Sequence, residues 1–155
     1  MRRIAIASLL ASLLTSFGAA SAFAADVKVE GAWVRGTTPS QKATGAFMRL
    51  TSAQGAALVG ASSPIAGKAE VHEMKMVADN MKMSPVQKLA LPAGKTVELK
   101  PGGYHVMLLD LKEPVKDGDI VKLTLEIEQG GKREQITVDA AVRPLGDMST
   151  HEHMH

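Results

Sequence analysis

In Ile120-Val121-Lys122-Leu123-Thr124-Leu125-Glu126-Ile127-Glu128, apolar and polar side chains alternate from Val121 onward. A period of two is typical of a β-strand that has one buried face and one solvent-facing face. Gln129-Gly130-Gly131-Lys132 comes next, and a second alternating run follows over residues 134–142. Two such runs joined by a Gly-Gly pair predict a β-hairpin.

Short apolar runs of the same kind recur through the rest of the chain, and Gly and Pro separate them. Turns are predicted at Pro92-Ala93-Gly94, Pro101-Gly102-Gly103 and Lys116-Asp117-Gly118-Asp119. No segment has an apolar stripe of helical period over a useful length, so we expect an all-β sandwich or barrel. The predicted strands are residues 27–34, 44–51, 57–62, 69–76, 87–91, 96–99, 105–111, 120–128 and 134–142.

Both ends of the chain are predicted to lie outside the fold. In residues 1–25, Arg2 and Arg3 precede an apolar run, and Ala22-Phe23-Ala24 fits the A-x-A cleavage pattern of a secretory signal peptide. The apolar run is too short to span a bilayer comfortably, so no stable membrane insertion is expected after cleavage. Residues 26–145 then form the folded domain, and the polar residues 146–155 form a disordered Met/His-rich tail.

Composition excludes several classes of protein. The chain has no Cys, which excludes disulfide scaffolds, Cys-ligated zinc, iron–sulfur sites, thiol catalysis and the usual blue-copper site.

The net charge of +2 comes from 18 basic and 16 acidic residues, and it falls to zero when Arg2 and Arg3 leave with the signal peptide. Without a basic stripe, nucleic-acid binding is not expected. The sequence also lacks G-x-S-x-G, a Gly-rich phosphate loop and H-E-x-x-H, so we do not expect an enzyme.

Methionine and histidine supply the chemistry that remains. His72 precedes Met74 and Met76, and His105 precedes Met107, at intervals of two residues. Residues i and i+2 of a strand share a face, so each strand would present an imidazole beside a thioether. A lone Met is usually core filler and a lone His is usually hydrogen-bonded in place, but here both types cluster, with Lys among them. Imidazoles together with thioethers suit Cu(I) better than zinc or hard cations.

Four of these residues also have a distinctive spacing. Ten residues separate His72 from Met83, twenty-one separate Met83 from His105, and one separates His105 from Met107. This spacing, His-x10-Met-x21-His-x-Met, resembles the signature of the PCu(A)C family of periplasmic copper chaperones. Segments similar to those of the family are Ala32-Trp33-Val34-Arg35, Thr44-Gly45-Ala46-Phe47-Met48 and Pro101-Gly102-Gly103-Tyr104-His105-Val106-Met107-Leu108.

The resemblance implies a cupredoxin-like Greek-key β-sandwich or barrel with an exposed mononuclear Cu(I) site made by His72, Met83, His105 and Met107. It implies a periplasmic chaperone that delivers copper to an acceptor, namely the CuA centre of cytochrome c oxidase. The implied partners are the copper-bearing subunit of the oxidase and a Sco-type copper protein. We expect a monomer.

Other interpretations stay open at this point. A periplasmic copper-sequestration or resistance protein would use the same ligands without a dedicated acceptor, and a β-sandwich interaction module would bind metal only incidentally. Met74, Met76 and Met81 add sulfurs that could compete with Met83.

The tail is a second candidate metal site. Imidazole suits Cu(II), and some members of the PCu(A)C family have a similar tail, so Cu(II) binding is predicted there. The candidate ligands are Met148, His151, His153, Met154 and His155.

Other residues receive structural interpretations. Trp33 is expected in the core because of its large apolar surface. Glu73 is adjacent to His72, and neighbouring residues of a strand point to opposite faces, so we expect Glu73 to face away from that imidazole.

Overall fold

The alternating runs form strands in the computed structural model, which describes residues 26–145. The prediction of an all-β domain is confirmed, and most strand ends differ from the predicted ones by only one or two residues. Within the described range, no helix has the length and apolar character needed to cross a membrane. The strands are β1 (Val27–Arg35), β2 (Ala43–Ser52), β3 (Ala56–Ser62), β4 (Ala66–Val77), β5 (Asn80–Pro85), β6 (Leu89–Leu91), β7 (Thr96–Leu99), β8 (Tyr104–Leu111), β9 (Ile120–Gln129) and β10 (Lys132–Arg143).

The predicted hairpin between β9 and β10 is confirmed. Gln129 pairs with Lys132, and the two residues between them, Gly130 and Gly131, have φ angles of 59° and 76°. Positive φ at both central residues defines the tight turn whose twist matches that of the flanking strands, and glycine adopts it without steric cost.

A second hairpin, between β4 and β5, was not predicted. Its turn residues, Ala78 and Asp79, also have positive φ angles, 48° and 62°, although neither is glycine. Every residue of β5 is exposed, so this strand has no alternation of buried and exposed side chains. Sequence patterns detect hairpins through Gly-containing turns and period-two burial, and this hairpin has neither.

The strands follow one another in a single sheet in the order β5-β4-β8-β2-β1-β10-β9-β3-β6, with β7 also paired to β2. Neighbouring strands along this order run antiparallel except β1 and β10, which are parallel. The sheet folds over so that β3 packs against β4. A closed arrangement of this kind gives the sheet one inner face and one outer face.

The inner face holds the hydrophobic core. On β9 the alternating residues Val121, Leu123, Leu125 and Ile127 are all buried, as the period-two pattern predicts. On β8, Val106, Leu108 and Leu111 belong to the core. The intervening β8 residues, His105 and Met107, therefore point to the outer face of the sheet. The core and the candidate metal ligands lie on opposite sides of the same strand.

Candidate metal centre

The register of β4 and β8 brings the two histidines together. His72 is the direct antiparallel partner of His105, and the centroids of their rings are 5.8 Å apart with the planes at 65°. Directly opposed residues of an antiparallel pair point to the same face. The two imidazoles that the sequence placed on separate strands thus lie in contact on the outer face of the sheet.

The hydrogen bond of His105 fixes which ring nitrogen has a free lone pair. Its Nδ1 lies 3.1 Å from the carbonyl oxygen of Gly103, and a carbonyl can only accept, so Nδ1–H donates. The neutral ring therefore presents the lone pair of Nε2. The same carbonyl also accepts the backbone N–H of Met74 at 3.1 Å, which ties β4 to this imidazole.

Burial keeps His105 neutral. The residue is only 5% exposed, and burial is the main cause that lowers the pKa of His105 below the ordinary histidine value. The hydrogen bond to Gly103 opposes this shift, whereas the charges of His72 and Arg35 add to it. Since only a neutral imidazole can bind a metal ion, this environment favours the form of His105 that could act as a ligand.

A hydrogen bond to a side chain fixes which ring nitrogen of His72 has a free lone pair. Its Nε2 lies 2.8 Å from Oε2 of Glu70. Hydrogen bonds from Lys68 and then His72 lower the pKa of Glu70, so its carboxylate is ionised and can only accept. His72 therefore donates from Nε2 and has its lone pair on Nδ1. That Nδ1 is buried and has no hydrogen-bond partner. A buried polar atom without a partner costs about 1–3 kcal/mol, and a metal ion at this nitrogen would satisfy it.

Glu70 is a residue that the sequence interpretation missed. Glu73, the neighbour of His72 in the sequence, forms an ion pair with Lys75 at 3.0 Å. Its position in the sequence could have identified it, because Glu70 lies two residues before His72 and so shares the same face of the strand. A carboxylate that accepts the N–H of an imidazole whose other nitrogen is free is the usual support of a metal-binding histidine.

The thioethers lie around the histidines. Met107 lies opposite Glu70 in the β4–β8 pairing and opposite Gly45 in the β2–β8 pairing. Met83 is the partner of Met74 on the β4–β5 hairpin, two residue pairs beyond His72. By strand alternation, the side chains of Met74 and Met83 share the face of the two imidazoles.

Most of these groups line an open cavity of about 320 Å³. Three of the four predicted ligands line it, and His72 lies next to it against the ring of His105. Met74 also lines the cavity, so the structure gives it a place equal to that of Met83. The lining includes Gly45, Phe47, Met74, Met83, His105 and Met107.

One wall of the cavity is aromatic, because the ring of Phe47 lines it and Trp33 packs against Phe47. Phe47 lies 6.3 Å from His105, and Trp33 lies 4.5 Å from Phe47, between ring centroids. The guanidinium of Arg143 lies 4.7 Å from the Trp33 centroid, and that of Arg35 lies 5.6 Å from the Phe47 centroid. The expectation that Trp33 belongs to the core was wrong. Its neighbour Val34 occupies the core, and strand alternation places the half-buried Trp33 on the outer face.

The candidate ligands are imidazoles and thioethers, and thioether sulfur is a soft donor. Among residues 26–145, no group of three or more His, Asp or Glu side chains is placed to hold a metal ion. The predicted ligands are two histidines and two thioethers, a donor set that suits Cu(I). The predicted signal peptide, residues 1–25, and the tail candidates Met148, His151, His153, Met154 and His155 lie outside the described residues.

Comparison with known proteins places this geometry in context. The family described as "Putative lipoprotein LpqE-like" matches residues 27–142, almost the whole described domain. A curated relative, "Putative lipoprotein Lxx21020" of Leifsonia xyli subsp. xyli (strain CTCB07), is 34% identical over 106 residues. The match covers 67% of this chain and 63% of the relative, so it spans less than two thirds of that protein's length.

Solved structures share the fold. The apo PCuAC domain from PmoF1 is 28% identical with a TM-score of 0.63, over 77% of this chain and 95% of that one. Apo-DR1885 from Deinococcus radiodurans is 33% identical with a TM-score of 0.59, over 94% and 97% of the two chains. The Cu(I) form of DR1885 is 38% identical with a TM-score of 0.57, over 80% and 83%. The expected cupredoxin-like β fold is confirmed.

Proposed function

Because the chain belongs to the LpqE-like lipoprotein family, we propose that it is a copper chaperone of the cell envelope that binds Cu(I) and passes it to an acceptor protein. The observation that carries the proposal is the pairing of His72 with His105. Each imidazole donates its N–H to a neighbouring group and so has one free nitrogen, and thioethers line the cavity together with His105. The solution structure of Cu(I)-DR1885, 38% identical over 80% of this chain, supports the choice of metal.

The proposed ligands are His72 through Nδ1, His105 through Nε2, and the sulfurs of Met83 and Met107. Imidazole and thioether both bind a metal ion through a lone pair without becoming anions, and neither can be lost to disulfide formation. Met74 competes with Met83 for the same place because both line the cavity. Met83 is 42% exposed, which leaves the sulfur accessible to an incoming ligand of another protein. Such a site suits transfer of copper by exchange of one ligand at a time.

The proposed acceptor is the dinuclear CuA centre of cytochrome c oxidase, reached alone or with a Sco-type copper protein. Support for this destination comes from the PCu(A)C resemblance of the His-x10-Met-x21-His-x-Met spacing. We place the protein in the periplasm as a monomer, exported by the signal peptide of residues 1–25. The relatives described as lipoproteins agree with an envelope location.

The proposal is tested by anaerobic Cu(I) titration against a competing chelator, together with X-ray absorption. One tight equivalent with both nitrogen and sulfur neighbours is expected. Met107→Leu should weaken Cu(I) binding much more than Cu(II) binding, because it removes a thioether and preserves apolar volume. Met48→Leu is the matched control, since Met48 is buried in the core on the other face of β2. Equal losses of both ions in Met107→Leu would indicate structural damage and contradict the assignment.

Transfer is a separate measurement. The loaded protein is mixed with the apo copper domain of the oxidase, and the appearance of the CuA absorption is followed. Tight Cu(I) binding without any transfer, in the presence or absence of the Sco-type protein, would favour copper sequestration over delivery.

A further inference from the structure

The β4–β5 hairpin carries more thioethers than the proposed site needs. Met74 pairs with Met83, and two residues further toward the turn Met76 pairs with Met81, with no shift of register between the pairs. Residues two apart on a strand share a face, so all four sulfur-bearing side chains lie on one face of the hairpin. We call this arrangement the methionine ladder. The inner pair is Met74 and Met83, and the outer pair is Met76 and Met81.

The outer pair has no role in packing the fold. Met76 is 64% exposed and Met81 is 51% exposed, and neither belongs to the hydrophobic core. Large apolar side chains that are more than half exposed gain little burial energy, so folding does not explain why Met occupies both positions.

The chemistry of the outer pair matches that of the inner one. Directly paired residues of an antiparallel hairpin have Cβ atoms about 5 Å apart, and the flexible Met side chain lets two sulfurs approach one soft ion between them. Successive pairs on the same face are separated by roughly 7 Å along the strands. The inner pair lines the cavity with His105 and Met107, so the ladder runs from solvent at the outer pair to the candidate centre.

The surrounding charges permit a monovalent cation there. Lys75 and Lys82 are opposite each other in the strand register, between the two Met pairs. Strand alternation places both lysine side chains on the opposite face of the hairpin. Lys75 is also paired with Glu73 at 3.0 Å. The face that bears the sulfurs is therefore not the one that bears the ammonium groups.

We propose that Met76 and Met81 form a second, weaker binding site for a soft monovalent metal ion, through which Cu(I) enters or leaves the centre near His105. The inference rests on the proposed copper function, because the ladder leads to that centre. The alternative, an apolar surface for a partner protein, would need the hydrophobic area of these side chains and not their sulfur atoms.

The test uses the secreted chain, tail included, labelled with ¹³C at the Met methyl groups and titrated with Ag(I) as a redox-inert substitute for Cu(I). Single Met→Leu variants assign the methyl signals. The first equivalent should shift Met83 and Met107, and further Ag(I) should shift Met76 and Met81. In Met76→Leu/Met81→Leu the later event should disappear while the first binding constant is unchanged. Loading of Cu(I) from a chelator complex should also slow in this variant.

Met48→Leu is again the matched control, and it should preserve both events. The inference is overturned if Met76 and Met81 do not shift after the first site is filled, or if only Met148 and Met154 of the tail shift. It is also overturned if the double Leu variant loads at the normal rate with unchanged stoichiometry, since Leu preserves the apolar surface. Failure of the first equivalent to shift Met83 and Met107 would instead contradict the proposed function, so the two failures are distinguishable.

Discussion

His72 and His105 face each other across the β4–β8 pairing, and each ring donates one N–H to a different kind of acceptor, a carboxylate for His72 and a backbone carbonyl for His105. The carbonyl belongs to the backbone of Gly103, whereas the carboxylate belongs to a side chain that can be changed by mutation. The two histidines should therefore respond differently to substitutions around them.

Glu70→Gln should weaken Cu(I) binding by about 10- to 100-fold, the usual effect of removing the acidic partner of a metal-binding histidine. The amide can also donate to the imidazole, so the proton of His72 is no longer held on Nε2. Competition titration measures the affinity, and ¹⁵N NMR reports which nitrogen is protonated.

Glu73→Gln is the matched control, because Glu73 is on the same strand and pairs with Lys75 away from the imidazole. It should leave the affinity and the tautomer of His72 unchanged. Equal losses in the two variants would show that Glu70 acts only through the general charge of the strand.

The stability of the metal-free domain should fall as the pH is lowered from about 6.5. Burial, His72 and Arg35 lower the pKa of His105 in the folded state, so the unfolded chain takes up this proton first. The loss begins near the unfolded pKa and continues until the pH passes the lowered folded pKa, below which His105 adds no further loss. Urea unfolding midpoints of the wild type and of His105→Gln, measured at several pH values, check this expectation.

His105→Gln should show a smaller loss of stability across that interval than the wild type. Copper affinity should also fall in acid, because protons compete for both imidazoles. A Cu(I) titration that stays flat from about pH 7.5 to pH 5 would contradict the assignment of both histidines as ligands.

Gly45→Ala should disturb the aromatic wall of the cavity. A Cβ at this position would lie 2.7 Å from Cζ of Phe47, too close for van der Waals contact, so the ring must move. Overpacking of this kind costs about 1–3 kcal/mol of stability. Phe47 stacks on Trp33, the single Trp of the chain, so the fluorescence emission of Trp33 should change and Cu(I) affinity should fall.

Gly103→Ala is the control for this substitution. The nearest atom to its Cβ is Cγ of Lys100 at 3.6 Å, an ordinary contact. Its Trp emission should match that of the wild type. Unchanged emission and affinity in Gly45→Ala would show that Phe47 adapts without affecting the cavity.

Deletion of residues 146–155 should remove a Cu(II)-preferring equivalent and leave Cu(I) binding at the centre intact. The tail supplies three imidazoles, at His151, His153 and His155, and imidazole favours Cu(II). Isothermal titration with each ion, before and after deletion, measures the stoichiometries. Unchanged Cu(II) stoichiometry would reject the tail as a metal site.

Local patterns in the sequence were sufficient to predict much of the fold. The β9–β10 hairpin follows from strict alternation and the Gly130-Gly131 turn, both of which act between near neighbours. The grouping of His105 with Met107 follows from alternation in the same way. By contrast, all residues of β5 are exposed, and the turn before it consists of Ala78 and Asp79 instead of glycines. No local pattern in the sequence therefore predicts this strand.

The remaining features depend on register, which a single strand does not encode. That His72 meets His105 requires β4 and β8 to be neighbours with one particular alignment. The place of Trp33 depends on which face of β1 the curled sheet encloses. Both Trp33 and Val34 are apolar, and only the tertiary packing assigns Val34 to the core.

The parallel pairing of β1 with β10 constrains the order in which the sheet can form. Trp33 pairs with Ala141, so two segments more than one hundred residues apart in the sequence must both be present before the sheet is complete. Pairing over such a separation is slow because the entropy of closing the loop opposes it. The sheet is therefore expected to close late, after the local hairpins β4–β5 and β9–β10 have formed.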